Sequence, residues 1–368
     1  MNFENKHIRN LQPYKVASHK IWDVPSEQRL GILKLDWNEA TIPPSPLVAE
    51  NISKLLNEPS FFQYYPSTYS EELHQKLSDY VNLPKENIQY FPSSDSLHEY
   101  ISTVFLNEDN VILILGPTYD NFRLTAESHG CKIHYFNYKN DFTLDIEAFD
   151  EQIGQLKPSM VYICNPNNPT GNLIEKNLIQ KLIEKFQDVL FLIDEAYIEF
   201  CGNSASNLVL NNNNILITRT FSKAFALANF RIGYLISSSI NINAISKVRN
   251  AKNFTTFSQV AAISALSDLQ YTFDYVQEVN RAKLFFIDYL TENFKIIEAT
   301  MGYGNFILLK FPTVELKIEL FDFLQSHNIF LRNLTHSDML MNCLRITIGT
   351  KDQMKLVLNN ISDFFENR

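Results

Sequence analysis

Between about residues 70 and 220 the chain alternates short apolar runs with stretches of helical spacing, a rhythm that few folds accommodate. Val111 to Leu115 is an apolar run ending in Gly116-Pro117, Ile133 to Phe136 is strand-like, and Met160 to Cys164 ends in Asn165-Pro166. Val189 to Ile193 and Ile215 to Ile217 continue the series, while Glu71 to Tyr80 and Leu178 to Phe186 carry apolar residues at helical period. Strands separated by helical segments need crossover connections, so the spacing predicts a largely parallel sheet covered on both faces, an α/β fold. After about residue 245 the style changes. A long helix-like stretch, Ala261 to Leu290, leads into shorter strands near Ile307 to Lys310 and Cys343 to Ile348. This predicts a second, smaller α+β domain. The first 40 residues read as an arm, and Pro43, Pro44 and Pro46 mark a loop or helix start.

Charge narrows the partners. With 32 basic against 41 acidic side chains, a net charge of −9 and no basic block, the chain is a poor match for a nucleic-acid backbone. The start MNFENKHIRN has no apolar signal segment, and no apolar string approaches bilayer length. The four cysteines lack C-x-x-C spacing, as expected for free thiols in a reducing compartment and not for a zinc site or a disulfide framework. A cytoplasmic protein without a metal site is expected. Glycine is scarce, 10 of 368 residues, where about 7% is usual. Any phosphate-cradling loop must therefore work with few glycines.

In open parallel sheets ligands sit at the carboxyl ends of strands, and three of the expected strands end in reactive residues. The first runs into Asn165-Pro166-Asn167-Asn168-Pro169-Thr170-Gly171, where two prolines suit a rigid turn that aims an amide. Alone, it would equally serve as an ordinary polar loop. The second ends in Asp194-Glu195-Ala196-Tyr197, a carboxylate at the mouth of a buried strand or a helix N-cap. The third runs Thr218-Arg219-Thr220-Phe221-Ser222-Lys223, with Arg231-Ile232-Gly233 following. Hydroxyls and a guanidinium suit a phosphate. A lysine against apolar neighbours can form a Schiff base with a carbonyl, although solvated cations at a strand end are also common.

Together, in this order, the three segments resemble the fold-type I pyridoxal-phosphate enzymes of the aspartate-aminotransferase superfamily, across nearly the whole chain. IRNLQPYK, YYPSTYSEEL, DEAYIEF, TFSKAFALANFRIGY and CLRITIGT look most like histidinol-phosphate aminotransferases. The resemblance implies an aspartate-aminotransferase-like fold: a mostly parallel seven-stranded sheet sandwiched by helices, plus a smaller α+β domain. Its implied parts are an N-terminal arm (1–40) packing on the small domain or a partner subunit, a large cofactor domain (41–245) and a small domain (246–368). Lys223 then matches the lysine that holds pyridoxal 5'-phosphate and carries the proton. Asp194 matches the partner of the ring nitrogen, and Tyr197 and Asn168 match the donors to its phenolic oxygen. Tyr119 matches the stacking aromatic. The phosphate would rest on Ser222, Arg231, Thr220 and backbone groups at Ser94-Asp95. Tyr65 matches a tyrosine reaching the phosphate of a neighbouring subunit, implying a homodimer with shared sites. Arg345 matches the carboxylate-binding arginine and Arg332 one used for substrate phosphate, with Tyr14 and Asn38 as further substrate-pocket candidates.

Three departures stand out. Ser93-Ser94-Asp95-Ser96 replaces a glycine-bearing turn, Ala228-Asn229-Phe230-Arg231 replaces Ala-Gly-Leu-Arg, and Trp37 stands where a small residue is common. Asn229 is expected to take up the left-handed backbone that glycine would supply. The expected activity is transfer of an amino group between glutamate and a small phosphorylated carbonyl compound. Histidinol phosphate comes first by resemblance, with dihydroxyacetone phosphate a rival favoured by Trp37 and Ser93. Decarboxylation of a phosphorylated amino acid is a further class.

Overall fold

The computed structural model describes residues 3–9, 11–13, 20–335 and 337–368. Its strands, in chain order, are β1 (Leu33–Lys34), β2 (Ile88–Phe91), β3 (Val111–Gly116), β4 (Lys132–Asn137), β5 (Met160–Cys164), β6 (Leu190–Asp194), β7 (Ile215–Thr220), β8 (Gly233–Ser237), β9 (Glu298–Thr300), β10 (Phe306–Lys310), β11 (Ile329–Phe330), β12 (Arg332–Asn333) and β13 (Cys343–Thr347). Seven form one sheet in the order β2-β8-β7-β6-β5-β3-β4. Only β8 runs against the others, so the sheet is mostly parallel.

Successive strand residues face opposite sides, and both sides are dry. Leu113, Val161, Phe191, Ile193 and Ile217 pack with the helices Pro46–Leu56, Glu71–Val81, Ile146–Leu156 and Lys176–Lys185. Ile112, Ile114, Met160, Leu192 and Leu216 pack on the other side with Ser93–Phe105, Asn121–Ser128 and Ser239–Ser246. This is why the strands read as unbroken apolar runs and not as alternating ones.

The stretch Ala261 to Leu290 is not one helix. Thr256–Leu266 and Leu269–Asn293 are separated at Ser267-Asp268, with neither glycine nor proline at the break. Asp268 instead accepts a hydrogen bond from Ser45 Oγ (2.6 Å), which also caps Pro46–Leu56 by accepting from Leu47 N. The first of the two helices buries Ala261, Ala262 and Ala265 in the large sheet's core, whereas the second lies mainly with the core of the smaller sheet, β12-β13-β10-β9. Near the N-terminus β1 pairs in parallel with β11, Leu33 opposite Ile329. Thr347 N then donates to Leu35 O at 2.9 Å, tying this segment to the smaller sheet.

Candidate active site

The carboxyl ends of β5, β6 and β7 open into a cleft of about 750 Å³ whose far wall comes from residues 33–41, Arg332 and Arg345. Strand alternation divides the acidic pair after β6. Asp194 lines the cleft, while Glu195 turns into the interior and takes Arg219 Nε at 2.9 Å. Arg219 is thus a structural cation, bound also to Ser204 Oγ, and plays no part in the cleft.

Lys223 reaches the cleft from the loop after β7, its Nζ donating to the backbone oxygen of Trp37 at 2.9 Å. Burial, and then the nearby Arg345 guanidinium, lower its pKa to about 8, so a neutral amine is accessible near physiological pH. Burial acts oppositely on Asp194 and raises its pKa. Its Oδ2 accepts from Tyr162 OH (3.2 Å) and its Oδ1 from Ala196 N (3.2 Å). The imidazole of His98 stands 3.9 Å from Oδ2, and neither of its nitrogens has a hydrogen-bond partner among the described residues.

The Asn165–Gly171 loop is built on amides that use both ends. Asn165 brackets Ile174 through N–H and C=O, and Asn167 accepts from Thr118 Oγ1 while donating to Pro117 O. Asn168 donates to Tyr197 OH (3.2 Å) and accepts from Arg345 (2.6 Å). Asn38 also donates to Tyr197 OH, at 3.0 Å. The phenol therefore receives two hydrogen bonds, and its own proton is left for an acceptor in the cleft.

Sequence reasoning put Asn38 in the substrate pocket, and here the structure differs. Asn38 is fully buried behind Tyr197, with its backbone and amide groups taken up by Thr347, Asn305 and the phenol. Its left-handed φ of 57° is one that asparagine tolerates.

Thr220, Ser222 and Arg231 gather at one end of the cleft, Thr220 Oγ1 donating to Ser222 Oγ (2.9 Å) and Arg231 to the same oxygen (3.4 Å). Ser94 and Asp95 lie in the first turn of Ser93–Phe105, where backbone N–H groups lack intrahelical partners. The Asp95 carboxylate joins two expected residues, accepting from Tyr119 OH (3.0 Å) and Arg231 (3.1 Å). Ser93, in the turn that stands in place of a glycine-bearing one, holds φ at +80°, and its Oγ accepts from Ser96 N. Asn229, by contrast, does not take the left-handed backbone. It sits inside a short 3-10 turn, and the positive φ values fall on Ala226 and Arg231 on either side.

Arg332 lines the cleft and stands directly opposite Arg345 across the antiparallel pair β12·β13. The two guanidiniums therefore stand at paired positions of the same sheet, an arrangement suited to anionic substrate groups. Tyr65 does not line the cleft. It is 83% exposed, in a stretch with Phe62 and Tyr64 also exposed. Tyr14 lies outside the described residues. Sequence reasoning missed His98, a polar residue on an apolar helix face, and the cluster Lys34, Asp36 and Glu39 at the cleft wall. No group of residues suited to a metal ion occurs among the described residues, and no described helix is long and apolar enough to cross a membrane.

The donor set fits pyridoxal phosphate at each of its ends. A buried carboxylate with no strong cation at hand suits a protonated ring nitrogen, and a deprotonatable lysine suits the aldehyde. A phenol with a spare proton suits the ring oxygen, and the hydroxyl–guanidinium cluster suits the phosphate.

Comparison with known proteins agrees with this chemistry. A family model described as aminotransferase class I and II matches residues 31–361. A dihydroxyacetone phosphate transaminase of Campylobacter jejuni is 43% identical, covering 98% of this chain and 96% of that protein. A histidinol-phosphate aminotransferase of Ruminiclostridium cellulolyticum is 31% identical over 96% of this chain and 93% of its own. Among solved structures, a histidinol-phosphate aminotransferase from Sinorhizobium meliloti in complex with pyridoxal-5'-phosphate shares the fold. Its TM-score is 0.87 at 21% identity, covering 100% of this chain and 98% of that one.

Proposed function

The chain belongs to the aminotransferase class I and II family, whose members use pyridoxal phosphate, and on that premise we propose that it transfers an amino group between glutamate and a small phosphorylated ketone of the dihydroxyacetone phosphate type. Histidinol phosphate, the substrate placed first by sequence resemblance, becomes the second reading. Relatives named for it are about 30% identical, whereas the relative named for dihydroxyacetone phosphate is 43% identical over nearly the full length. The single observation that carries a phosphorylated, carboxylate-alternating substrate pair is the pairing of Arg332 with Arg345 across the cleft from Lys223.

Bound in the cleft, the cofactor supplies an aldehyde that carries the amino group and a ring that accepts electron density from the substrate carbon. The protein's own residues do the rest. Lys223 Nζ, its pKa lowered by burial to about 8, would take a proton from the substrate carbon and deliver it to the cofactor's former aldehyde carbon, two atoms along. Asp194, anionic beside a cationic ring nitrogen, holds that nitrogen protonated. Arg345, steadied by Asn168 and the backbone oxygen of Asp36, grips the carboxylate of glutamate, and Arg332 takes the phosphate. Tyr119 would stack on the ring, and Ser94, Asp95, Thr220, Ser222 and Arg231 would hold its phosphate. Tyr65, too exposed for its own cleft, is assigned to the cleft of a second copy, so the working unit is a homodimer. Residues 1–40 serve as an arm, 41–245 as the cofactor-holding part and 246–368 as the smaller part.

The test is to supply the holoprotein with glutamate and dihydroxyacetone phosphate and to follow 2-oxoglutarate and the aminated phosphate ester. Equal amounts of both are expected. Release of carbon dioxide from a phosphorylated amino acid, with no 2-oxoglutarate, would overturn the reading in favour of decarboxylation. Arg332→Ala should raise KM for the phosphorylated ketone roughly 10- to 100-fold, as loss of a charged hydrogen bond does, with a much smaller effect on glutamate.

A further inference from the structure

We propose that the indole of Trp37 is a fixed wall beside the reacting amine that restricts this enzyme to phosphorylated ketones with small carbon skeletons and turns away those bearing a ring. The inference rests on the phosphorylated-ketone reading and names the residue that sets substrate size.

Trp37 is held at both ends. Its backbone oxygen accepts the Lys223 ammonium or amine at 2.9 Å, which fixes the residue next to the reactive nitrogen. The residue lines the cleft, and Lys34 Nζ, of another cleft-lining residue, lies 5.1 Å from the centre of the indole, within cation–π reach. Lys34 is itself immobilised, paired with Asp36 at 2.9 Å and with Glu39. Its side chain is only 13% exposed. Lys34 extends from β1, which is pinned to β11 by parallel pairing, and Arg332 lies two residues beyond the end of β11. The wall is thus mounted on the same strand assembly that presents the phosphate-binding arginine. A large planar side chain on so rigid a mounting takes space from whatever hangs between Lys223 and Arg332.

The contact with Lys223 uses the main chain, so replacing the side chain leaves it available. Lys34 keeps both carboxylate partners when the indole is gone. The side chain can therefore change the shape of the cleft without dismantling the chemistry.

The experiment compares Trp37→Ala, Trp37→Phe and Lys34→Met with the parent holoprotein. It measures kcat/KM for dihydroxyacetone phosphate and for imidazole acetol phosphate with glutamate as donor. Trp37→Ala is expected to raise the ratio of imidazole-bearing to small ketone by roughly 10-fold or more, the range that pocket size commands. Trp37→Phe should hold the ratio within about 3-fold, and Lys34→Met should move it in the direction of Trp37→Ala but less far. A ratio left unmoved by both Trp37→Ala and Lys34→Met overturns the proposal. So does an equal fall for both ketones, which would mean a purely structural indole.

Calorimetric binding of histidinol phosphate and glycerol 3-phosphate to the same proteins separates the two layers of the argument. If the parent aminates neither ketone but Trp37→Ala still shifts binding toward the imidazole compound, the wall stands and the reaction assignment falls. If the parent aminates the small ketone and neither ratio moves, the reverse holds.

Discussion

At the scale of single residues, burial does most of the chemical work. An ordinary lysine is neutral in well under one molecule in a thousand at pH 7, whereas a pKa of about 8 makes Lys223 neutral in about a tenth. Cofactor-free protein mixed with pyridoxal phosphate should therefore attach it at a rate that climbs through pH 7 to 8 and levels above pH 9. Arg345→Met, by removing a neighbouring cation, should move the midpoint upward. A midpoint near pH 10.5, read by absorbance, would contradict the burial argument. Two glycines give opposite expectations. A Cβ on Gly233 would stand 2.5 Å from backbone atoms of Ser93 and Ser94, so Gly233→Ala should cost about 1–3 kcal/mol and loosen the phosphate end of the cleft. Gly154 lies inside the helix Ile146–Leu156 with only Phe186 near, at 3.8 Å, so Gly154→Ala should stabilise by about 0.5–1 kcal/mol. Thermal melts of both variants check the pair. The glycine shortage thus has a local answer: Ser93 carries the positive φ itself and repays part of the strain through its hydroxyl.

At the scale of elements, most strands that sequence reasoning found are continuous apolar runs such as Met160–Cys164, buried on both faces, and it found the edge strand β4 although that one is largely exposed. It did not single out β2, with a glutamine inside it, or β8, which opens on Gly233 and ends on Ser237. The break at Ser267-Asp268 was missed for a different reason. It is held by Ser45, more than two hundred residues away, and the only local mark is Asp268, a residue type common at helix starts. Asp268→Ala should cost about 1 kcal/mol in a denaturant titration, the worth of one hydrogen bond, and Ser45→Ala should not add its full effect on top. The three strand-end motifs were legible as chemistry because alternation delivers their residues to one edge. That Asp194 is the member facing the cleft came from the resemblance, and the structure sends Glu195 the other way. The interior destination of Arg219 depended on Glu195 and Ser204 folding over it. His98 gave only the weak signal of a polar residue on an apolar helix face, since Asp194, the charge it stands beside, comes from β6, far away in sequence.

At the scale of the whole molecule, the proposed homodimer would carry Tyr65, exposed and absent from its own cleft, into the cleft of another copy. Mixing Tyr65→Ala protein with Lys223→Ala protein tests this directly. If each is nearly inactive alone, random re-pairing should restore about a quarter of the parent activity, because half the dimers then hold one complete site. No recovery after verified subunit exchange would place Tyr65 outside the partner's site. Within one copy the site also spans the chain: Trp37 touches Lys223, Asn38 touches Thr347, and β1 waits for β11. That pairing has a consequence in time. A ribosome adds roughly 5–20 residues each second, so Leu33 is out in the cell for about 15–60 s before Ile329 exists to receive it. During synthesis the large sheet can close on itself while the amine of Lys223 still lacks Arg345 and its full shelter. Reactivity is the last thing the nascent protein acquires, and a chain released early carries the lysine without the surroundings that wake it.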